Sequence, residues 1–343
     1  MKHLLAASLL SASTALAFAC SSGSATPDGT PTDPGGSSGD GSSGAGSSGA
    51  GSSGAGSSGA SSGSSGSVDS KLTIFTIVME NHDYAEIVGS SNAPYINSLI
   101  ASYGLATNYV DSGVHPSLPN YLTMISGAPQ YSGGMDVDPT QSPFPVNAQN
   151  LGTQLEAAGV AWRSYQESMG SACALAAVTN PAGNYAPKHD PFLYFTDMQA
   201  SALCTQRNVD YSQFAADLAA GTYRFMWITP NLTDDGHDPQ ANPVTGLKQS
   251  DAWAAKEIPK IMASAAYTNG GVIFLTWDEA EGRSKDSKDQ IPMIVISPKM
   301  KSAGYKATAA YSHKSYLATV EDLLGLPRLA TVKSEASMLE FLK

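Results

Sequence analysis

Five histidines stand in turn-like surroundings: His82 in ENHDY, His115 in VHPSLPN, His189 in KHDPF, His237 in DGHDP and His313 in YSHKS. One solvated histidine could lie anywhere on a surface. All five sit among Pro, Gly, Asp, Asn or Ser, several beside acids and near strand ends. That recurrence points to acid–base groups or ligands of a divalent metal. Asp278-Glu279 are adjacent carboxylates directly after the apolar run GVIFLTW. Like charges this close are costly in a low-dielectric site unless a cation, or a basic side chain, neutralises them. Glu80-Asn81 offer similar oxygen ligands after LTIFTIVM, and Asp234, Asp235, His237 and Asp238 form a third acidic loop. Ser117, in HPSLPNY, precedes a helical pattern. Free N–H groups and the dipole at a helix start favour an anion and a deprotonated oxygen. On spacing alone, the simpler reading of Ser117 is an N-cap.

Such groups must be positioned by elements far apart in the chain. Leu72–Met79, Gly271–Trp277 and Pro292–Ile296 are continuous apolar, β-branched runs, the pattern of strands covered on both faces. Val160–Tyr165 and Tyr223–Ile228 read as further strands. Helical spacing marks Ala93–Tyr103, Leu118–Ser126, Asn150–Ala158, Tyr211–Ala220, Asp251–Ala266 and Ser315–Leu324. Pro119 falls in a first turn, where a missing N–H costs nothing. The alternation predicts an α/β domain with a mostly parallel central sheet and helices on both faces. The polar clusters directly follow the strands, so they should converge outside the carboxyl ends of the sheet.

The chain has 343 residues and a formal net charge of −11, which argues against nucleic acid as a partner. Residues 1–20 read as an export leader: Lys2 and His3, then an apolar run too short to span a membrane, then Ala19-Cys20. Ala17-Phe18-Ala19-Cys20 resembles a bacterial lipobox, with Ala17 and Phe18 departing from its usual residues. Cys20 is therefore expected to carry lipid, in a chain exported to a cell surface or outer membrane; cleavage without lipidation is the alternative. Residues 21–67 are almost all Gly, Ser and Ala, too poor in apolar surface to fold. A coil of that length reaches about 35–40 Å and would tether a domain spanning 68–343. Cys173 and Cys204 then remain as an even pair in an oxidising space, expected to form a disulfide, with two reduced thiols as the alternative.

The segments IVMENHDYAEIVG, HPSLPNYLTMISG, KHDPFLYF, ITPNLTDDGHD, LTWDEAEG and SHKSYLATVEDLLGLP resemble, in order, the motifs of the bacterial phosphoesterase family. That family holds secreted acid phosphatases and phospholipases C within the alkaline phosphatase-like superfamily. Ser-Leu-Pro-Asn also resembles the Thr-Phe-Pro-Asn segment of nucleotide pyrophosphatases, whose Thr is the nucleophile. The resemblance implies that Ser117 is a nucleophile forming a phosphoserine, with His189 and His237 as catalytic partners. It assigns Glu80, Asn81, Ser117, Asp278 and Glu279 to a metal, with Asp235, His237 and His313 as candidates for a second. His115, Asn120, His189 and His313 are expected at the substrate phosphate. One or two divalent ions are implied, with zinc, iron, manganese and calcium all compatible with mixed ligands. The implied substrate is a phosphorylated small molecule or a phospholipid headgroup. A phospholipase C-type diesterase and a non-catalytic metal- or phospholigand-binding lipoprotein are the rival readings. A sulfatase is disfavoured, because the Ser117 segment lacks the Arg of the Cys/Ser-x-Pro-x-Arg motif.

Overall fold

A computed structural model describes residues 72–131, 135–179, 184–237, 243–282 and 289–343. The expected leader with Cys20, the expected linker, the first residues of the expected domain and Asp238 lie outside the described residues. No helix among the described residues is long and apolar enough to cross a membrane.

The strands are β1 (Ile74–Met79), β2 (Gly104–Ala106), β3 (Tyr109–Val110), β4 (Trp162–Gln166), β5 (Asn208–Asp210), β6 (Phe225–Thr229), β7 (Val272–Trp277), β8 (Met293–Ile296), β9 (Tyr305–Ala307) and β10 (Tyr311–Ser312). Eight form one sheet in the order β5-β4-β6-β1-β7-β8-β2-β9, and β10 pairs with β3. Every pairing in the large sheet is parallel except the two made by β8. The expected α/β fold with a mostly parallel sheet is what the chain adopts. All residues of β1 and β7 are buried, as strands covered on both faces must be. The run Pro292–Ile296 is strand as expected, but it runs backwards. The chain passes from the carboxyl end of β7 into β8 without a described crossover helix, and only an antiparallel pairing accepts so direct a return.

Six helices of seven residues or more matter here: α1 (Pro94–Ser102), α2 (Leu118–Ser126), α3 (Leu151–Ala157), α4 (Phe214–Ala220), α5 (Pro243–Met262) and α6 (His313–Leu324). Helix α1 packs on α5 and α2 on α6. Every residue of α2 is buried, and it stops at Gly127, whose φ of +70° is the left-handed conformation that glycine adopts without a Cβ clash. Helix α6 starts at His313 rather than Ser315. The β3–β10 pair, with Ser312 opposite Val110, fixes that start beside Asp111.

Cys173 and Cys204 are bonded, with Cα atoms 5.3 Å apart, within the normal span of a disulfide.

Candidate active site

The site begins with register. Met79 lies opposite Trp277 in the β1–β7 ladder, so both strands end at one level. Glu80-Asn81 and Asp278-Glu279 therefore leave adjacent tips side by side, although almost two hundred residues separate them. Asn81 turns out of β1 with φ +36°, a left-handed conformation that asparagine tolerates better than most residues. Its N–H then donates to Asp278 Oδ1 at 3.0 Å and its side-chain amide to Glu279 Oε1 at 3.2 Å. The next loop joins through Glu80 N–H, which donates to Asp235 O at 2.9 Å.

Helix α2 delivers the hydroxyl. Ser117 occupies the N-cap position, but its backbone is already helical and its side chain makes no capping bond. The N-cap reading is thereby overturned. Ser117 Oγ instead donates towards Glu80 Oε2 at 3.1 Å, with Asn81 Oδ1 at 3.5 Å. Asn120 and Tyr121 follow at i+3 and i+4, on the same helix face. Asn120 Nδ2 donates to Glu279 Oε2 at 2.8 Å, and Tyr121 OH to Glu80 Oε1 at 2.6 Å.

The histidines divide into distinct roles. His189, in a single turn at Pro187–His189, stacks on Tyr121 with ring centroids 5.2 Å apart. Its Nε2 lies 3.1 Å from Glu80 Oε1, off the angle of a hydrogen bond, and its Nδ1 lies 3.9 Å from Asp235 Oδ2. Burial, with the charges of Lys188 and His237 nearby, holds His189 well below the usual histidine range, so it is neutral. His237 is half-buried, and its N–H donates to Asp235 Oδ1 at 2.9 Å. His115 sits at the rim, with Nδ1 3.3 Å from Glu279 Oε2 and Nε2 3.4 Å from Asp111 Oδ2 and 3.5 Å from Asp289 Oδ1. Its bond to Asp111, helped by the charges of Glu279, Asp111 and Asp289, pushes its pKa up to about 9. Asp111, His115 and Asp289 bring ligand atoms within 4.8 Å of one another, a grouping that could hold a cation. An imidazolium at His115 already supplies positive charge there.

His313 departs from expectation. It is wholly buried behind Asp278, with Nδ1 3.0 Å from Tyr109 OH and Nε2 2.5 Å from the Asp278 carbonyl. Both ring nitrogens are engaged with protein, so neither faces a metal or a phosphate. The earlier start of α6 puts it there. His82, too, is structural: Nε2 lies 3.1 Å from Gly236 O and Nδ1 3.2 Å from Glu86 Oε2.

The carboxylates crowd one another. Glu80, Asp278 and Glu279 are 2%, 0% and 3% exposed. Burial, then the charges of Asp278 and Asp235, raises Glu80 well above the usual carboxylate range. Burial raises Asp278 to about 7; burial and the charge of Asp278 raise Glu279 to about 8. Asp278 Oδ2 is buried without a hydrogen-bond partner among the described residues. The three crowded carboxyl groups are only partly offset, by donors from Asn81, Ser117, Asn120 and Tyr121 and by the charges of His115 and Lys188. Oxygens of Glu80, Asn81, Ser117, Asp278 and Glu279 make a hard donor set, suited to a divalent ion. Tyr121, Asp111, Lys188 and Asp136 also belong to this neighbourhood and were not singled out by motif. Tyr121 carried a signal, its i+4 spacing from Ser117; the others carried none.

Residues 90–327 match the Phosphoesterase family. The chain is 31% identical over 259 residues to a phosphatidylinositol-3-phosphatase of Mycobacterium tuberculosis, covering 74% of this chain and 77% of that one. It is 27% identical to an acid phosphatase of Aspergillus fumigatus over 78% of this chain, but spans only 58% of that relative's length. Among solved structures, an alkaline phosphatase superfamily protein of Vibrio parahaemolyticus superposes with a TM-score of 0.54 at 13% identity, covering 78% of this chain and 69% of that one. The lipoteichoic acid synthase LtaP of Listeria monocytogenes gives 0.54 at 11% identity, covering 78% and 75%. These superpositions show the shared fold. The chain belongs to the phosphoesterase family, hydrolases of phosphate ester bonds.

Proposed function

We propose that this chain is a divalent-metal-dependent phosphomonoesterase that uses Ser117 as its nucleophile. The observation that carries the reading is the Ser117 hydroxyl, released from capping and held among Glu80, Asn81 and the Asp278-Glu279 pair. Glu80, Asn81, Ser117, Asp278 and Glu279 would hold the cation. When bound, it supplies positive charge that favours the ionised serine and offsets charge on the phosphoryl oxygens.

The residues of the chain supply the rest. Ser117 Oγ directs its proton at Glu80 Oε2 and attacks phosphorus in line, giving a phosphoserine. Asn120 and His115 hold Glu279 from two sides. The proton for the leaving oxygen is assigned to His237, with His189 stacked on Tyr121 beside Glu80. Water then attacks the phosphoserine, giving a proton to His237, while Ser117 Oγ leaves and recovers its proton from Glu80, which frees phosphate and restores the serine.

The substrate class is a phosphate monoester of a small molecule or of a phospholipid headgroup. The name of the mycobacterial relative supports the second. We further place the protein outside the cytoplasm, anchored through Cys20; the leader pattern and the Cys173–Cys204 bond support this.

Turnover of an aryl phosphate, with and without chelator, tests the reading. Chelation should abolish it and a divalent ion restore it. His237→Asn should slow alkyl phosphates far more than aryl phosphates, whose leaving groups need no proton. Ligand binding without hydrolysis in any metal would leave a binding protein instead.

A further inference from the structure

A carboxylate from a separate loop crosses the mouth of the site. Asp136 Oδ1 accepts the Leu118 N–H at 3.3 Å, the amide next to Ser117 at the start of α2. Its other oxygen, Oδ2, is paired with Lys188 Nζ. Lys188 adjoins His189 in the turn that faces Glu80. Asp136 thus bridges the helix of the nucleophile to the turn of the histidine. The segment is not a loose arm, since Tyr194 OH donates to the next carbonyl, Val137 O, at 2.7 Å. Asp136 and Lys188 are 21% and 31% exposed, so the bridge faces the opening.

A backbone N–H at a helix start and an ammonium group are the donors that a phosphoryl group takes. In this structure a carboxylate of the chain has both. The field of the site says why the cation matters. Glu80, Asp278, Glu279 and Asp235 crowd the neighbourhood, and a dianionic ester would meet strong repulsion. The charge of Lys188 reaches Glu80 and Asp278, and theirs reaches it. His115, the other cation described above, is committed to three carboxylates on the Glu279 side.

We propose that Asp136 is a built-in occupant of the phosphoryl seat, and that substrate phosphate displaces it to take over Lys188 and the Leu118 N–H. Lys188 is then a substrate-binding residue, and Asp136 a competitor that weakens phosphate binding. This rests on the phosphoesterase reading above. It adds that affinity for phosphate is set by an exchange of one anion for another. Product phosphate would leave more readily for the same reason, because Asp136 refills its place.

The test is direct binding of inorganic phosphate, by calorimetry, to the manganese-loaded protein and its variants. Asp136→Asn should bind phosphate at least fivefold more tightly than the unmodified chain. Lys188→Gln should bind it at least fivefold more weakly. Asp136→Glu, which keeps the charge, should remain close to the unmodified chain. Thermal melts check folding, and Asp136→Ser and Lys188→Met repeat the comparison with different side chains. If phosphate binds the unmodified chain but Asp136→Asn binds it no better, or worse, the bridge is only a structural ion pair and the proposal is overturned. If no protein of the series binds phosphate or turns over an aryl phosphate, the phosphoesterase reading itself fails.

Discussion

Tyr121→Phe isolates one hydrogen bond of the site. The phenol is fully buried and donates to Glu80 Oε1 at 2.6 Å. Removing the oxygen keeps the ring, so the stack with His189 at 5.2 Å stays supported. Truncation to Ala would add a cavity cost of about 3–5 kcal/mol and confuse the result. A hydrogen bond to a charged group contributes about 1.5–3 kcal/mol. Glu80 is already pushed up by burial, and its bond to Tyr121 is the first influence opposing that rise. Losing it raises the carboxyl further. A divalent ion must displace that proton, so its affinity at pH 7 should fall by about 10–100-fold, the size of effect usual for a partner that supports a metal ligand. Calorimetric titration with manganese at pH 7 and pH 9 measures this, and the deficit should shrink at the higher pH. A dissociation constant within twofold of the unmodified protein, with the fold intact by circular dichroism, would refute the placement of Glu80 in the cation site.

The remaining predictions concern the nucleophile, protons and the disulfide. Ser117→Ala should lower kcat by about 10³-fold or more with the fold intact by circular dichroism, the side chain capping nothing and its loss removing one hydrogen bond to Glu80. Full activity in that variant would remove the phosphoserine mechanism. Metal binding at pH 7 should release protons, since Asp278 and Glu279 titrate at about 7 and about 8 without metal. Affinity should then rise with pH through that range; identical binding heats in buffers of different ionisation enthalpy would contradict it. The same shifts fix a sign for folding. These groups bind protons more tightly folded than unfolded, so they favour folding at low pH and that contribution is lost as pH rises from about 4 to about 8. Chelator-treated protein should therefore melt lower at pH 8 than at pH 7. Reducing the Cys173–Cys204 bond, which spans 31 residues, should cost about 3–4 kcal/mol by loop-closure entropy. Thermal melts with and without reductant would show it, and coincident curves would deny it.

Much of the architecture was written locally. The apolar runs ending at Met79 and Trp277 named two buried strands, and the turn-rich acids after them named their tips. Helix α2 begins and ends where Leu118, Pro119 and Gly127 say it should. These features depend on side-chain period, chain stiffness and turn chemistry, all confined to neighbours in sequence. Short strands such as β2, β5 and β9, each three residues long, escaped, because three residues hold no readable period.

What tertiary structure alone decided is which partner each polar atom found. Ser117 had the sequence of an N-cap, yet its hydroxyl turned to Glu80 once β1 lay beside α2. His313 had the surroundings of a ligand, yet pairing of β10 with β3 drew it under Asp278 and engaged both nitrogens. Pro292–Ile296 had the pattern of a parallel strand and runs the other way. Asp136 became a neighbour of the site only through packing. Residue type and spacing determine which chemistry the chain carries; strand register and helix docking determine where that chemistry points, because hydrogen bonds and charges act through space over a few ångströms and not along the chain.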